Sequence, residues 1–466
     1  MLRFFSRPRL RLLSIATGTL LWSALATAAP ADPPPSDGPP PEQAQVDPPQ
    51  SPTSLRVGDA EFKIGGFIDA VAVTRSRTVG SGLGTSFGAI PLPDSPAGNL
   101  SETRLTAQSS RLSLLATNPV RGALVKGYLE FDFLGMQPPN ALVTTNANGP
   151  RMRHSWIQVR TGGFEFVGGQ TWSLMTPNRQ GVSPLPADVF FTQAIDPNFQ
   201  VGLTWTRASQ FRFVAHPSRT LAAAVALENP EQYVGTGVVL PASFPAGEVD
   251  NNGNTATPNP YPDIIGKVTW DPQTGSTRQH VEVATVVRGF RTFDPASSAS
   301  YSKTGRGLSV NANVEPIHNL HLIATTFFSE GGGRYIFGLA PDFVINRDGS
   351  MTLVGSRSFV AGFEGIIKRA TLFGYYGAAH IDQQVTVDST GRAIGYGVPG
   401  NTVANRQVNE ATAGVNYTFW REPRYGSLQW IGQYSYLERT PWSVPSDAKS
   451  DARLHMVFIS ARYTLP

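Results

Sequence analysis

The chain has 466 residues, with 38 Lys and Arg against 34 Asp and Glu, no Cys, 46 Gly and a mean hydropathy of -0.15. The lack of thiols excludes disulfides and zinc sites built on thiolates. Arg3, Arg7, Arg9 and Arg11 are the only charged residues in positions 1–28, so the rest of the chain is formally neutral and its charge gives no support to nucleic-acid binding.

Those first residues predict a cleaved secretory signal over 1–28. The four Arg make a basic start, Leu12 to Leu25 form a mostly apolar stretch, and Ala26-Thr27-Ala28 supplies the small residues of a cleavage site. The apolar stretch is broken by Ser14, Thr17, Gly18, Thr19 and Ser23, and is shorter than the ~20 residues a spanning helix needs. Residues 29–54 follow, dense in Pro, and predict a semi-stiff periplasmic tether that cannot bury a core. A tail without a role fits that composition equally well.

From Glu61 onward the pattern has a period of two. Val125, Gly127, Leu129, Phe131 and Phe133 alternate with Lys126, Tyr128, Glu130 and Asp132, and Ala411, Ala413, Val415, Tyr417 and Phe419 alternate with polar neighbours. One oily and one polar face make a strand between two unlike surroundings. The predicted hairpins are 101–117 with 122–134, 151–160 with 163–173, 209–216 with 219–228, and 262–271 with 277–292. Then come 305–315 with 319–329, 356–368 with 370–383, and 406–420 with 426–438, with single strands at 61–74 and 452–465. Tight turns within hairpins alternate with long Gly-, Pro- and Asn-rich connections between them, among them 293–304.

Seven hairpins and two single strands predict an all-β fold over 55–466, a sixteen-stranded antiparallel transmembrane β-barrel with short periplasmic turns and long extracellular loops. One stretch strains the count. Phe199, Val201, Leu203 and Trp205 alternate like a seventeenth strand, and 199–207 is read as an extension of the following strand past a bulge. The segment 174–198, with Pro177, Pro184, Pro186, Phe190 and Phe191, is the candidate constriction loop, folded inward; an ordinary surface loop is the alternative.

Arg104-Leu105, the run Gly127 to Phe133, Arg151-Met152-Arg153-His154 and Gly169-Gln170-Thr171-Trp172-Ser173 resemble the DcaP-like outer-membrane porins in order and spacing. The specific match covers the first third of the barrel. The resemblance implies a homotrimer of sixteen-stranded barrels in the outer membrane of a Gram-negative bacterium, passing small, often anionic, organic solutes. The family's periplasmic coiled coil has no counterpart heptads in 29–54. The last strand resembles the signal read by the barrel-assembly machinery but ends Leu465-Pro466 rather than in an aromatic.

Charged side chains on the lipid face of a barrel cost a few kcal/mol near the midplane, so Lys126, Glu130 and Asp132 belong in the lumen. With Arg104, Arg111, Arg151 and Arg153 they are candidate constriction residues, acting through a field across the pore or simply bracing one another. Arg179 and Asp188 are the expected solute contacts of the constriction loop. Trp420, Tyr425, Trp430 and Trp442 fit an aromatic girdle. No catalytic, cofactor or metal motif stands out: His318 and His321 would lie on opposite faces of a strand, and Gly331-Gly332-Gly333 lacks the context of a phosphate loop. The reading is a passive diffusion channel and not an enzyme; the alternative is a barrel enzyme or adhesin of little conductance.

Overall fold

The computed structural model describes residues 52–80, 82–135, 148–189, 193–250, 257–295 and 297–466. The expected signal and nearly all of the Pro-rich tether fall outside them, as do Phe190 and Phe191. The wall begins with β1 (Ala60–Arg75), β2 (Glu102–Thr106, continued by Arg111–Val120), β3 (Ala123–Asp132), β4 (Arg151–Thr161), β5 (Phe164–Trp172), β6 (Arg207–Ala215), β7 (Leu221–Glu228) and β8 (Asp263–Trp270). It continues through β9 (Thr277–Asp294), β10 (Ala299–Ile317), β11 (Leu320–Glu330), β12 (Gly355–Ile367), β13 (Ala370–Ile381), β14 (Asn405–Glu422), β15 (Gly426–Pro441) and β16 (Ala452–Thr464). Each strand pairs antiparallel with the next. β1 pairs with β16 from Phe67↔Thr464 to Arg75↔Met456, which closes a sixteen-stranded barrel and leaves no sheet edge.

The short turns follow from local chemistry. Between β2 and β3, Arg121 and Gly122 take φ of 49° and 84°, the left-handed pair that matches a hairpin's twist. At the other rim, 293–304 is not a long loop. The β9–β10 ladder runs on to Asp294↔Ala299, because the alternation continues through Phe290, Thr292 and Tyr301 above the level where the other strands stop.

Side chains sort by face as a membrane wall requires. Phe131 and Trp430 point outward at 39% and 38% exposed, and Ala411, Ala413 and Val415 share the outer face of β14. The outer face carries an apolar band that includes Leu112, Phe211, Val268, Leu308, Phe328 and Ile459, which hydrocarbon would cover. Inward positions such as Asp69, Glu130, Arg212, Lys267 and Glu282 are polar and buried.

The loop-side third of the interior departs from the simple oily-out, polar-in pattern. There the inward residues of β16, Leu454, Met456 and Phe458, are fully buried with Phe290 and Phe327. They pack against loop residues Phe87, Ile90, Leu174, Met175, Ile336 and Phe343 in one apolar cluster. Loops that fold into the barrel take their own core with them, so the strands beneath are apolar on both faces.

Candidate functional site

The described residues of the connection between β5 and β6, 173–189 and 193–206, lie inside the barrel. Their backbone N–H groups donate to inward side chains around the wall: Leu174 to Glu228 at 2.7 Å, Ile195 to Gln433 at 2.7 Å, and Val201 to Glu410 at 2.8 Å. Buried N–H groups need acceptors, and the polar inner face supplies them where a water-filled lumen would have supplied water. Lys267, fully buried, joins Glu282 at 3.0 Å and donates to the Thr176 carbonyl at 2.8 Å, tying the loop to β8 and β9.

The segment 199–207 is therefore not a bulged extension of β6. That strand starts at Arg207, and Phe199 to Thr204 are buried in the lumen. The backbone turns at Phe199 and Gly202, with φ of 64° and 92°, and Ser358 of β12 donates to the Gly202 carbonyl at 2.8 Å. A Cβ on Gly202 would meet the Phe359 carbonyl oxygen at 2.3 Å, and one on Gly377 would meet that of Val201 at 1.9 Å. The two glycines let loop and wall backbones touch. Alternation in 199–205 reflects a segment packed between the loop core and the wall, not a strand between lipid and water.

Five of the predicted residues come together on β2, β3 and β4. Arg151 holds Asp132 through Nε and Nη2 at 3.0 and 2.7 Å, and Arg153 bridges Glu130 at 2.6 Å and Asp132 at 2.9 Å. These pairs join neighbouring strands and do not span the lumen. Arg111 lies beside them, with its guanidinium 5.2 Å from the Phe67 ring centroid. The remaining four stand elsewhere. Arg104 is on the inner face at the loop rim, paired with Glu102 at 3.4 Å. Lys126 lines a void of about 240 Å³ with Arg160, Glu165 and Asp188. Arg179 is held by Glu364 through both terminal nitrogens, at 2.9 and 2.8 Å, and Tyr375 donates to the same carboxylate at 2.7 Å. The Asp188 carbonyl, not its carboxylate, accepts from Arg179 N at 2.6 Å.

Sequence reasoning missed the partners that barrel closure supplies. Arg462 of β16 reaches Asp69 of β1 at 2.6 Å, and its guanidinium lies over Phe67 on the face opposite the outward Tyr463 and Ala461. Arg207 of β6 stands over the Trp172 ring at 5.2 Å. Alternation along β1 and β16 places Asp69 and Arg462 on the inner face, and that was the available signal.

Phe67, Arg111, Asp132, Arg179, Phe199 and Arg462 line a cavity of about 260 Å³. A second void of about 600 Å³, lined by Arg179, Asp188, Arg219, Asp271 and His280, opens on the short-turn side, so Arg179 borders both. Beside the inner cavity, Arg151, Arg153 and Arg462 hold the carboxylates of Asp69, Glu130 and Asp132, with Arg111 next to them. Nε of Arg111, Nε of Arg462 and Nη2 of Arg153 are buried without a hydrogen-bond partner among the described residues. A buried donor left unmade costs about 1–3 kcal/mol, and an anionic oxygen is the acceptor that suits a guanidinium. No group of ligands able to hold a metal ion occurs among the described residues.

The barrel is similar to the crystal structure of the outer membrane channel DcaP of Acinetobacter baumannii, at TM-score 0.66 and 18% identity over 89% of this chain and 100% of that one. The chain has a DcaP-like porin-type fold. Weaker likenesses are to an anion-selective porin from Comamonas acidovorans (TM-score 0.49, 12% identity, 87% of this chain and 100% of that one) and to OprB of Pseudomonas putida (TM-score 0.46, 11% identity, 86% and 94%). No family model matches the sequence, and no curated protein does. That porin-type fold agrees with the sixteen antiparallel strands described above.

Proposed function

We propose that this chain is a passive outer-membrane porin of a Gram-negative bacterium that conducts small hydrophilic organic solutes and favours anions. The observation that carries this is the inner cavity, where Arg111 and Arg462 keep buried N–H groups without acceptors among the described residues. A solute carboxylate entering it would accept those bonds and leave through the void beside Arg179. Passive diffusion in this reading involves no covalent step and no energy source. The porin works as a homotrimer in this reading: apart from Arg207 at the loop-side end of β6, the outward positions of β1 to β8 carry no charged residue among those described, a face that a second copy could cover.

Planar-bilayer recording tests the proposal. A salt gradient should give a reversal potential on the anion side, and small dicarboxylates on the loop side should lower the current more than neutral sugars of similar size. Equal permeability of anions and cations would remove the anion preference. The apolar core at the loop end favours a second reading, a barrel enzyme or adhesin with little conductance. Absence of resolvable current steps would select it.

A further inference from the structure

Six non-glycine residues among those described have a positive φ, and four of them sit in hairpin turns. The other two are Phe199 at 64° and Phe337 at 56°, on two different loops. A bulky residue is held in that region only where its surroundings over-determine it, and such strain gathers at ligand clamps. Trp205 lies between the two rings, stacked on Phe337 at 5.0 Å and edge-on to Phe199 at 5.1 Å. Phe199 lines the inner cavity, and Phe337 lines a separate void of about 350 Å³ on the loop side. The walls of the two voids meet again at Thr85, whose N–H donates to Asp196 of the inner cavity at 3.2 Å while the adjacent Ser86 lines the outer void.

The outer void differs in chemistry from the inner one. Stretches of four loops bring Ser86, Phe87, Tyr233, Thr236, Phe337 and Tyr396 to it, and none of the described residues lining it carries a formal charge. Tyr233 is fixed on both sides of its peptide: its N–H donates to the Asp342 carboxylate at 2.8 Å, and its carbonyl accepts from Asp342 N at 2.7 Å. Asp342 is held in turn by Arg288 of β9 at 2.6 Å. Gly235 takes a φ of 70°, and a Cβ there would meet the Tyr233 ring at 2.8 Å, so the glycine gives that ring its place. The hydroxyls of Ser86, Tyr233 and Thr236 bond to no other described residue.

Aromatic walls, unclaimed hydroxyls and no charge suit a ring that is apolar on its faces and hydroxylated at its edge, the body of a sugar. A carboxylate on such a ring would find no cation here, but it would find the guanidiniums of Arg111 and Arg462 in the next void inward. We infer that the solute is a sugar acid, a pyranose carrying one carboxylate, whose ring is read in the loop-side void and whose carboxylate is read in the inner cavity. This rests on the anion-porin reading above and names the solute class within it. A planar aromatic acid would stack on Phe337 equally well but would leave the three hydroxyls unused.

Full-length protein in planar bilayers tests the assignment, with glucuronate, glucose, acetate and benzoate added in turn on the loop side. The readout is the concentration that halves the single-channel current. Glucuronate should need about tenfold less than any of the other three. In Y233F/T236V, which removes two hydroxyls and little volume, the ratio of the acetate to the glucuronate concentration should fall about tenfold. T236V alone, at an exposed loop position, should lower the ratio about threefold and serves if the double variant loses its heat-modifiable migration. A wild-type ratio near one, benzoate as effective as glucuronate, or a ratio undiminished in the variants would each overturn the inference. Equilibrium dialysis of labelled glucuronate against detergent-purified protein separates the two readings. Absence of resolvable current steps would count against the porin, and the sugar-acid site would then stand or fall on saturable binding that the variants weaken.

Discussion

Arg462 stands over Phe67, its guanidinium carbon 4.2 Å from the ring centroid, so a cation of the last strand rests on an aromatic of the first. Arg111 takes up position on the same ring at 5.2 Å. A guanidinium over an aromatic face gains about 0.5–2 kcal/mol, and here the ring keeps two like charges near each other at the cavity wall. In R462Q, Asp69 loses its ion pair and the cavity loses a positive charge. The reversal potential should move toward cations, and F67A should move it the same way by a smaller amount.

Arg153 is 2% exposed and is the shared partner of Glu130 and Asp132. Removing one member of such a buried set costs about 3–5 kcal/mol, because the carboxylates left behind stay desolvated. Replacing both Arg151 and Arg153 with Gln should therefore shift selectivity toward cations and lower the temperature at which the barrel loses its heat-modifiable band. Unchanged reversal potentials would limit these residues to bracing the wall.

Gly202 has no room for a methyl group and has a φ that L residues rarely adopt. G202A should lift the loop from β12 and β13 at a cost of about 1–3 kcal/mol. The amides of Val201 and Ile195 should then exchange hydrogen faster, and single-channel current should become noisier. A methyl group tolerated with unchanged exchange would mean that the loop does not rest on the wall there.

Asp196 is fully buried in the loop, accepts from Asn198 N at 2.9 Å and from Thr85 N at 3.2 Å, and burial raises its pKa above the usual carboxylate range. The sign follows from that direction. A raised carboxyl favours the protonated form in the fold, so its contribution is complete below the unfolded carboxylate range and declines as pH rises through the raised value. Protection factors at Thr85 and Asn198, with exchange corrected for its intrinsic pH dependence, should be higher at pH 4 than at pH 8, and D196N should flatten the difference.

Much of the wall was legible because each hairpin alternates oily and polar residues and breaks at Pro, Gly or Asn. Glu130, Asp132, Arg151 and Arg153 were legible as a group because they lie on adjacent strands, close in the chain. Asp69 and Arg462 were not, since their meeting depends on closure across 393 residues. Phe199 to Trp205 misled for a different reason. A period of two reports two unlike sides, and the loop core and the wall's polar inner face are as unlike as lipid and water. The apolar inner faces near Phe290 and Phe458 likewise belong to loops whose inward course no local pattern records.

The seam between β1 and β16 gives the inner cavity a built-in order of assembly. Asp69 draws two of its partners, Ser460 and Arg462, from β16, the sixteenth strand of the wall. A wall still open at that seam leaves Asp69 without either partner and Phe67 without the guanidinium of Arg462, so the inner cavity takes its form only when the first and last strands zip together.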